Sequence, residues 1–149
     1  MYTEQLSQAL SIQGKIDPQS LAAATPTGTG GVDMKKFRRA TFVLDVGAFG
    51  ASATVDMKLQ TSPDNSTWSD LAGTGVAITT LAAAGGNNRL ATLEVRAGQL
   101  PSTARYVQAL VTVGTAASQV CCVALGGEAV DKPGAANDIA AVAQRSVVV

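Results

Sequence analysis

The chain predicts an all-β fold: an antiparallel β-sandwich or jelly roll with an extended N-terminal arm and a C-terminal tail. Three observations carry that expectation. Short runs of β-forming residues alternate apolar with polar side chains, the period of two that gives a strand one buried and one wet face. Clusters of Gly, Pro, Asn, Asp and Ser punctuate the runs as turns do. No convincing long helix lies between them, so a parallel sheet with crossover helices is not expected. The clearest unit is 52–70. Ala53, Val55, Met57 and Leu59 fall on one side, and Thr54, Asp56, Lys58 and Gln60 on the other. Ser62-Pro63-Asp64-Asn65-Ser66 is a run of turn formers, and Trp68, the only Trp, stands at the returning strand.

At 149 residues the chain fits one domain with length left for arms or tails. Hydrophobic residues make up 46% but aromatics only 4%, so the core is built of small side chains suited to thin, stacked layers. Such a core gains less transfer energy per residue than one rich in Phe and Leu, which is compatible with stabilisation by an assembly. The 11 basic and 11 acidic residues cancel, which argues against nucleic acid as partner. No apolar run approaches the ~20 residues of a membrane span. The first residues lack a basic start and a long apolar run, so no secretory signal is expected. Cys121 and Cys122 are then expected as reduced thiols, acting as small buried hydrophobes.

Residues 1–31 read as an arm outside the β core. Leu6, Ala9 and Leu10 are spaced for a short helical turn, while 11–16 equally fits a strand anchored by Ile12 and Ile16. Asp17-Pro18 is a turn or helix start, and 25–31 (TPTGTGG) has linker composition. The apolar anchors Leu6, Leu10, Ile12, Ile16 and Leu21 favour an arm that docks over a disordered terminus. The sandwich is expected over 32–127. Val32 to Met34 begins it, and 37–46 is a firm strand with Ala40, Phe42, Leu44 and Val46 on one face. Further strands are expected at 53–61, 68–71, 77–81, 90–96, 105–113 and 119–125. The last is apolar on both faces, as for a central strand or one covered by a partner. Gly126-Gly127 is read as the close of the domain. The tail, 128–149, holds an Ala-rich piece at 135–143 that fits a short helix, and ends in Val147, Val148 and Val149, a sticky run suited to a neighbour's sheet edge.

The residues announce no catalytic chemistry. There is no His, which removes the commonest general base and transition-metal ligand. Adjacent cysteines do not match zinc-ligand spacing, and Gly28, Gly30 and Gly31 form neither a dinucleotide fingerprint nor a P-loop. Asp45, Asp56, Asp64, Asp70 and Glu94 could supply a glycosidase pair, but nothing singles out two of them. No enzyme activity, metal or cofactor is expected. Lys35, Lys36, Arg38 and Arg39 form the main charge feature, either a solvated strand start or a contact with an acidic partner surface. Trp68 is either a core or edge plug or a sugar-stacking platform.

Five pieces recur in order: Ser11 to Gln19 (SIQGKIDPQ), Val32 to Ala40 (VDMKKFRRA), a Gly-rich bend, Ala53 to Gln60 (ATVDMKLQ), and Arg105-Tyr106-Val107. This arrangement resembles small β-rich structural proteins of tailed bacteriophages and prophages, of the capsid decoration (cement) type. The resemblance implies a virion protein on the capsid surface, made in the host cytoplasm and often trimeric. It would bridge neighbouring major capsid subunits, with no nucleic acid or membrane as partner. Leu6, Leu10, Ile12, Ile16, Lys35, Lys36, Arg38, Arg39, Val147, Val148 and Val149 are the expected partner-binding residues. The alternatives are a head–tail connector or tail component, and a carbohydrate-binding module using Trp68.

Overall fold

The computed structural model describes residues 5–73 and 77–146. In chain order a helical turn, α1 (Leu6–Ala9), is followed by β1 (Ser11–Leu21), β2 (Thr27–Gly28), β3 (Val32–Asp33), β4 (Phe37–Val46), β5 (Thr54–Ser62), β6 (Ser69–Asp70), β7 (Ala77–Ala82), β8 (Arg89–Arg96), β9 (Tyr106–Gly114) and β10 (Ser118–Ala129). They make two antiparallel sheets. One has the order β1-β10-β4-β8; the other has the order β2-β9-β5-β6, with β3 also on β9 and β7 also on β5.

The core lies between the sheets and follows from alternation. Ala40, Phe42, Leu44 and Val46 of β4 and Val120, Cys122 and Ala124 of β10 point inward from the first sheet. Val55, Met57 and Leu59 of β5 and Ala109, Val111 and Val113 of β9 meet them from the second. All are buried, and each Val, Leu or Phe removed from water contributes about 1.5–3 kcal/mol. The expected strands from 37 onward are all present, shifted by at most a few residues at their ends.

Three expectations change. First, the sandwich starts at Ser11, not at Val32. β1 pairs along β10 from Ser11 opposite Gly126 to Leu21 opposite Ser118, and Ile16 and Leu21 enter the core. Register shifts between Ile12 and Gly14 and between Ile16 and Gln19 hide this strand, because each breaks the period of two. Second, Gly126-Gly127 does not end the domain: β10 runs through both to Ala129. Gly126 is a packing requirement, since a Cβ there would stand 2.6 Å from Cγ of the buried Phe37 ring. Third, the Ala-rich tail forms only a 3-10 turn, Gly134–Asn137.

The turn after β5 is set by Asp64. Its Oδ1 accepts from the Thr67 amide at 2.8 Å and the Ser66 amide at 3.0 Å, and the Ser62 hydroxyl donates to it at 2.9 Å. The Thr67 amide first, then its neighbours, hold this carboxyl far below the usual carboxylate range. Trp68 ends up half-buried at the edge, outside the central core. Its ring packs on Gly31, where a Cβ would lie 2.9 Å from Cη2.

Candidate docking surface

Two segments far apart in sequence, 6–12 and 134–145, fold onto the same end of the first sheet. Asp138 joins them. Its Oδ1 accepts from the Ile12 amide at 2.8 Å and the Ser11 hydroxyl at 3.1 Å. Both its oxygens accept from Arg145, Nε at 3.0 Å and Nη2 at 2.7 Å on Oδ2, while Arg145 Nη1 donates to the Ser7 carbonyl. The Ile139 amide donates to the Ile12 carbonyl at 2.9 Å, so the tail covers the start of β1's outer edge. Gly134 packs on the last turn of α1, where a Cβ would lie 2.8 Å from the Ala9 carbonyl oxygen. Burial pushes the Asp138 carboxyl up, but the Ile12 amide, Arg145 and Ser11 together outweigh it and hold it below the usual range.

This clasp frames a groove of about 550 Å³, mostly apolar, lined by Leu6, Leu10, Ile12, Leu125 and Val142 with Arg145 at its rim. Leu6 is 73% exposed. Leu10 reaches over Gly127 to within 3.6 Å of where a Cβ would sit, and that position also lies 3.9 Å from Arg39 Cβ. The groove and the start of β4 are therefore neighbours.

The basic stretch divides in two. Arg39 projects from β4 between Glu94, at 3.0 Å, and Glu128, at 2.8 Å, and is neutralised there. Lys35 and Lys36 lie exposed on the turn between β3 and β4, with exposed Arg38 just inside the strand. Asp33 shapes that turn. Its carboxylate accepts from the Lys35 amide at 3.0 Å, and its carbonyl accepts from the Lys36 amide at 2.9 Å. Arg105 clamps the same carboxylate with two bonds, 3.0 and 2.7 Å, and stacks over Tyr106 with 4.9 Å to the ring centroid. The Arg105 guanidinium holds Asp33 below the usual carboxylate range. The chain thus spends an ion pair between distant segments on presenting three exposed cations.

Of the expected partner-binding residues, the fold brings Leu6, Leu10 and Ile12 together in the groove. It places Lys35, Lys36 and Arg38 at the same end of the sheet, and it removes two. Ile16 is 3% exposed and belongs to the core; Arg39 is paired internally. Val147, Val148 and Val149 lie outside the described residues. Asp138, Arg145, Leu125 and Val142 join the site without having been expected. Nothing in the local sequence around Arg145 or Asp138 marks them as partners of residues 7–12.

Other chemistry stays quiet. Asp70 is taken up by Lys58 at 2.7 Å, Glu94 by Arg39, and Asp64 by its own turn. No group of three or more metal-ligating side chains occurs among the described residues. No described helix is long and apolar enough to cross a membrane. Burial pushes the Cys122 thiol up to about 12, while Cys121, on the opposite face, is raised by partial burial and then by Asp45. A disulfide reagent at pH 8 is expected to modify Cys121 slowly in the native protein and Cys122 only after unfolding. Equal rates for both would contradict the burial of Cys122.

No protein-family profile matches this chain, and no curated protein matches it. Solved structures show distant likenesses. A heated full particle of Israeli acute paralysis virus has TM-score 0.41 and 11% identity over 82% of this chain and 70% of that one. A structure of infectious bursal disease virus, Gt strain, has TM-score 0.47 and 8% identity over 85% of this chain and 33% of that one. A structure described as CBM4 structure and function has TM-score 0.43 and 10% identity over 76% of this chain and 67% of that one. Two of these three come from viruses. All three scores lie below 0.5, and they assign neither family nor function.

Proposed function

We propose that this chain is a virion structural protein that decorates and stabilises a capsid by bridging neighbouring major capsid subunits. On this reading it works as a homo-oligomer, a trimer, on the capsid of a tailed bacteriophage. One observation carries the proposal: α1 with the start of β1 and the segment 138–145 are locked together at one end of the sandwich around an exposed apolar groove. A groove of that kind accepts an apolar segment of a partner. Beside it, Lys35, Lys36 and Arg38 meet an acidic surface of a neighbouring subunit, adding steering and register. The order of motifs that resembles phage decoration proteins supplies the class of partner.

The test is occupancy on purified capsids. Removing residues 1–31 is a poor probe, because it would strip β1 from its sheet. The substitutions Leu6→Glu and Val142→Glu place charge in the groove while leaving the core untouched. Each is expected to reduce capsid binding at least tenfold with an unchanged far-UV spectrum and melting temperature. Full occupancy by both variants would sink the reading.

A further inference from the structure

A second groove lies at the opposite end of the first sheet, about 590 Å³ in volume. Three backbone departures build it. The register shift between Ile16 and Gln19 lifts Asp17-Pro18 out of the β1 ladder. Gly47 closes against β10, its amide donating to the Gln119 carbonyl at 2.9 Å; a Cβ there would lie 3.2 Å from Gln119 Oε1. Asn88 takes a left-handed conformation, φ 59°, and its amide donates to the Gly47 carbonyl at 2.9 Å. Gln19, Ser20, Asp45, Asn88, Gln119 and Cys121 line the result. No Lys or Arg does, and Asp45 has no ion-pair partner among the described residues. The groove therefore offers one carboxylate and several amide oxygens, acceptors suited to an ammonium or guanidinium group.

The chain itself carries such groups. Lys15, Arg39, Lys58, Arg105 and Arg145 are each paired with a carboxylate. Lys35, Lys36 and Arg38 make no ion pair among the described residues, although Lys36 adds a longer-range pull on Asp33. They cannot reach Asp45 of their own chain. Arg38 and Asp45 lie at opposite ends of β4, seven residues apart, or roughly 23 Å at strand spacing.

We propose that the groove around Asp45 receives the corner formed by Lys35, Lys36 and Arg38 of a second copy. The contact is head to tail, so it joins different surfaces of two identical chains. It closes into a ring when the rotation between copies permits, as a trimer requires. This rests on the homo-oligomer part of the proposed function and deepens it: the neighbouring subunit whose acidic surface the basic corner meets is then a second copy of this chain, and the apolar groove is left for the capsid.

The test is light scattering during gel filtration of the full chain, without capsids, at low and high salt. The unmodified chain is expected to self-associate at low salt and to dissociate at ~1 M salt, where charges are screened beyond about 3 Å. Asp45→Lys alone, and Lys35→Glu with Lys36→Glu and Arg38→Glu, are each expected to weaken association at least tenfold. A chain carrying all four changes is expected to associate again. Asp45→Asn, a nearly isosteric change, keeps the test usable if charge reversal perturbs folding; it is expected to weaken association about threefold. Disulfide-reagent labelling of Cys121, which lines the groove, is expected to slow on association of the unmodified chain only. A chain that is monomeric throughout, variants that associate like the parent, or a four-change chain that stays monomeric would each overturn the proposal. So would protection of Cys121 by spermidine in a chain that remains monomeric. Capsid binding is read separately through Leu6 and Val142, so either idea can fail alone.

Discussion

Phe37→Ala is expected to cost about 3–5 kcal/mol of folding stability, the range for removing a buried Phe. With a urea slope near 2 kcal/mol/M, the unfolding midpoint falls by about 2 M. The size follows from what surrounds the ring. Phe37 is fully buried and lies over Gly126, whose missing side chain is the space the ring occupies. Few neighbours are large enough to lean into the hole, because the core is mostly Val and Ala. The reverse change makes the same point. Gly126→Ala puts a carbon 2.6 Å from Phe37 Cγ, and overpacking of this kind costs about 1–3 kcal/mol. Combining Phe37→Ala with Gly126→Val is expected to cost less than the sum of the single changes, because each relieves the other. Strict additivity in urea denaturation would show that the two positions do not share that space.

Asp138→Ala is expected to remove about 2–3 kcal/mol of local stability, the scale for hydrogen bonds to a charged group together with the partners left unmet. The loss stays local because the clasp lies outside the core. Hydrogen exchange at the Ile12 and Ile139 amides should speed up by about 30-fold or more, and protease should cut within 133–146. The midpoint of global unfolding should move little. Protection unchanged at both amides would mean that Asp138 does not hold the tail. The same carboxylate sets a pH dependence. Asp138 and Asp33 both have native pKa values below their unfolded ones, so the unfolded chain binds protons more readily as pH drops. Their contributions are complete above the unfolded carboxylate pKa, near 4, and are lost as pH falls through the lower native values. The tail is therefore expected to loosen below about pH 4, read as faster exchange at Ile139 than at core amides such as Val111.

The sequence was most legible where one face is dry and the ladder regular. β4 from Ala40 onward, β5 and β9 alternate regularly, and the inward residues the pattern selects there are buried, whereas Phe37 at the start of β4 is fully buried off that pattern. β1 was hard to see because two register shifts break its alternation and because Asp17-Pro18 reads as a turn. The docking surface was half legible. Leu6, Leu10 and Ile12 stood out as apolar residues in a polar segment, and Lys35, Lys36 and Arg38 as a charge cluster. Their companions Asp138, Arg145 and Val142 are more than a hundred positions away, and local spacing carries no trace of such a contact. The groove at Asp45 draws on four separated segments and was invisible for the same reason. Arg39 was misleading: the cross-strand carboxylates that neutralise it, Glu94 and Glu128, are neighbours only in the folded sheet.

The pairing of β1 with β10 also governs when this molecule comes into being. The first long strand has no partner until almost the last has left the ribosome. A partly made chain can pair β5 with β9 but cannot complete the four-stranded sheet. Folding dominated by such distant pairings belongs to the slow, millisecond-to-second end of the range. The groove beside Asp138 needs both α1 and the segment 138–145, so it exists only once the chain has been made past Arg145. Products that stop short of Arg145 should then be excluded from assembly by geometry, with no separate proofreading step; a nascent chain stalled before residue 118 should leave β1 as sensitive to protease as an unfolded segment.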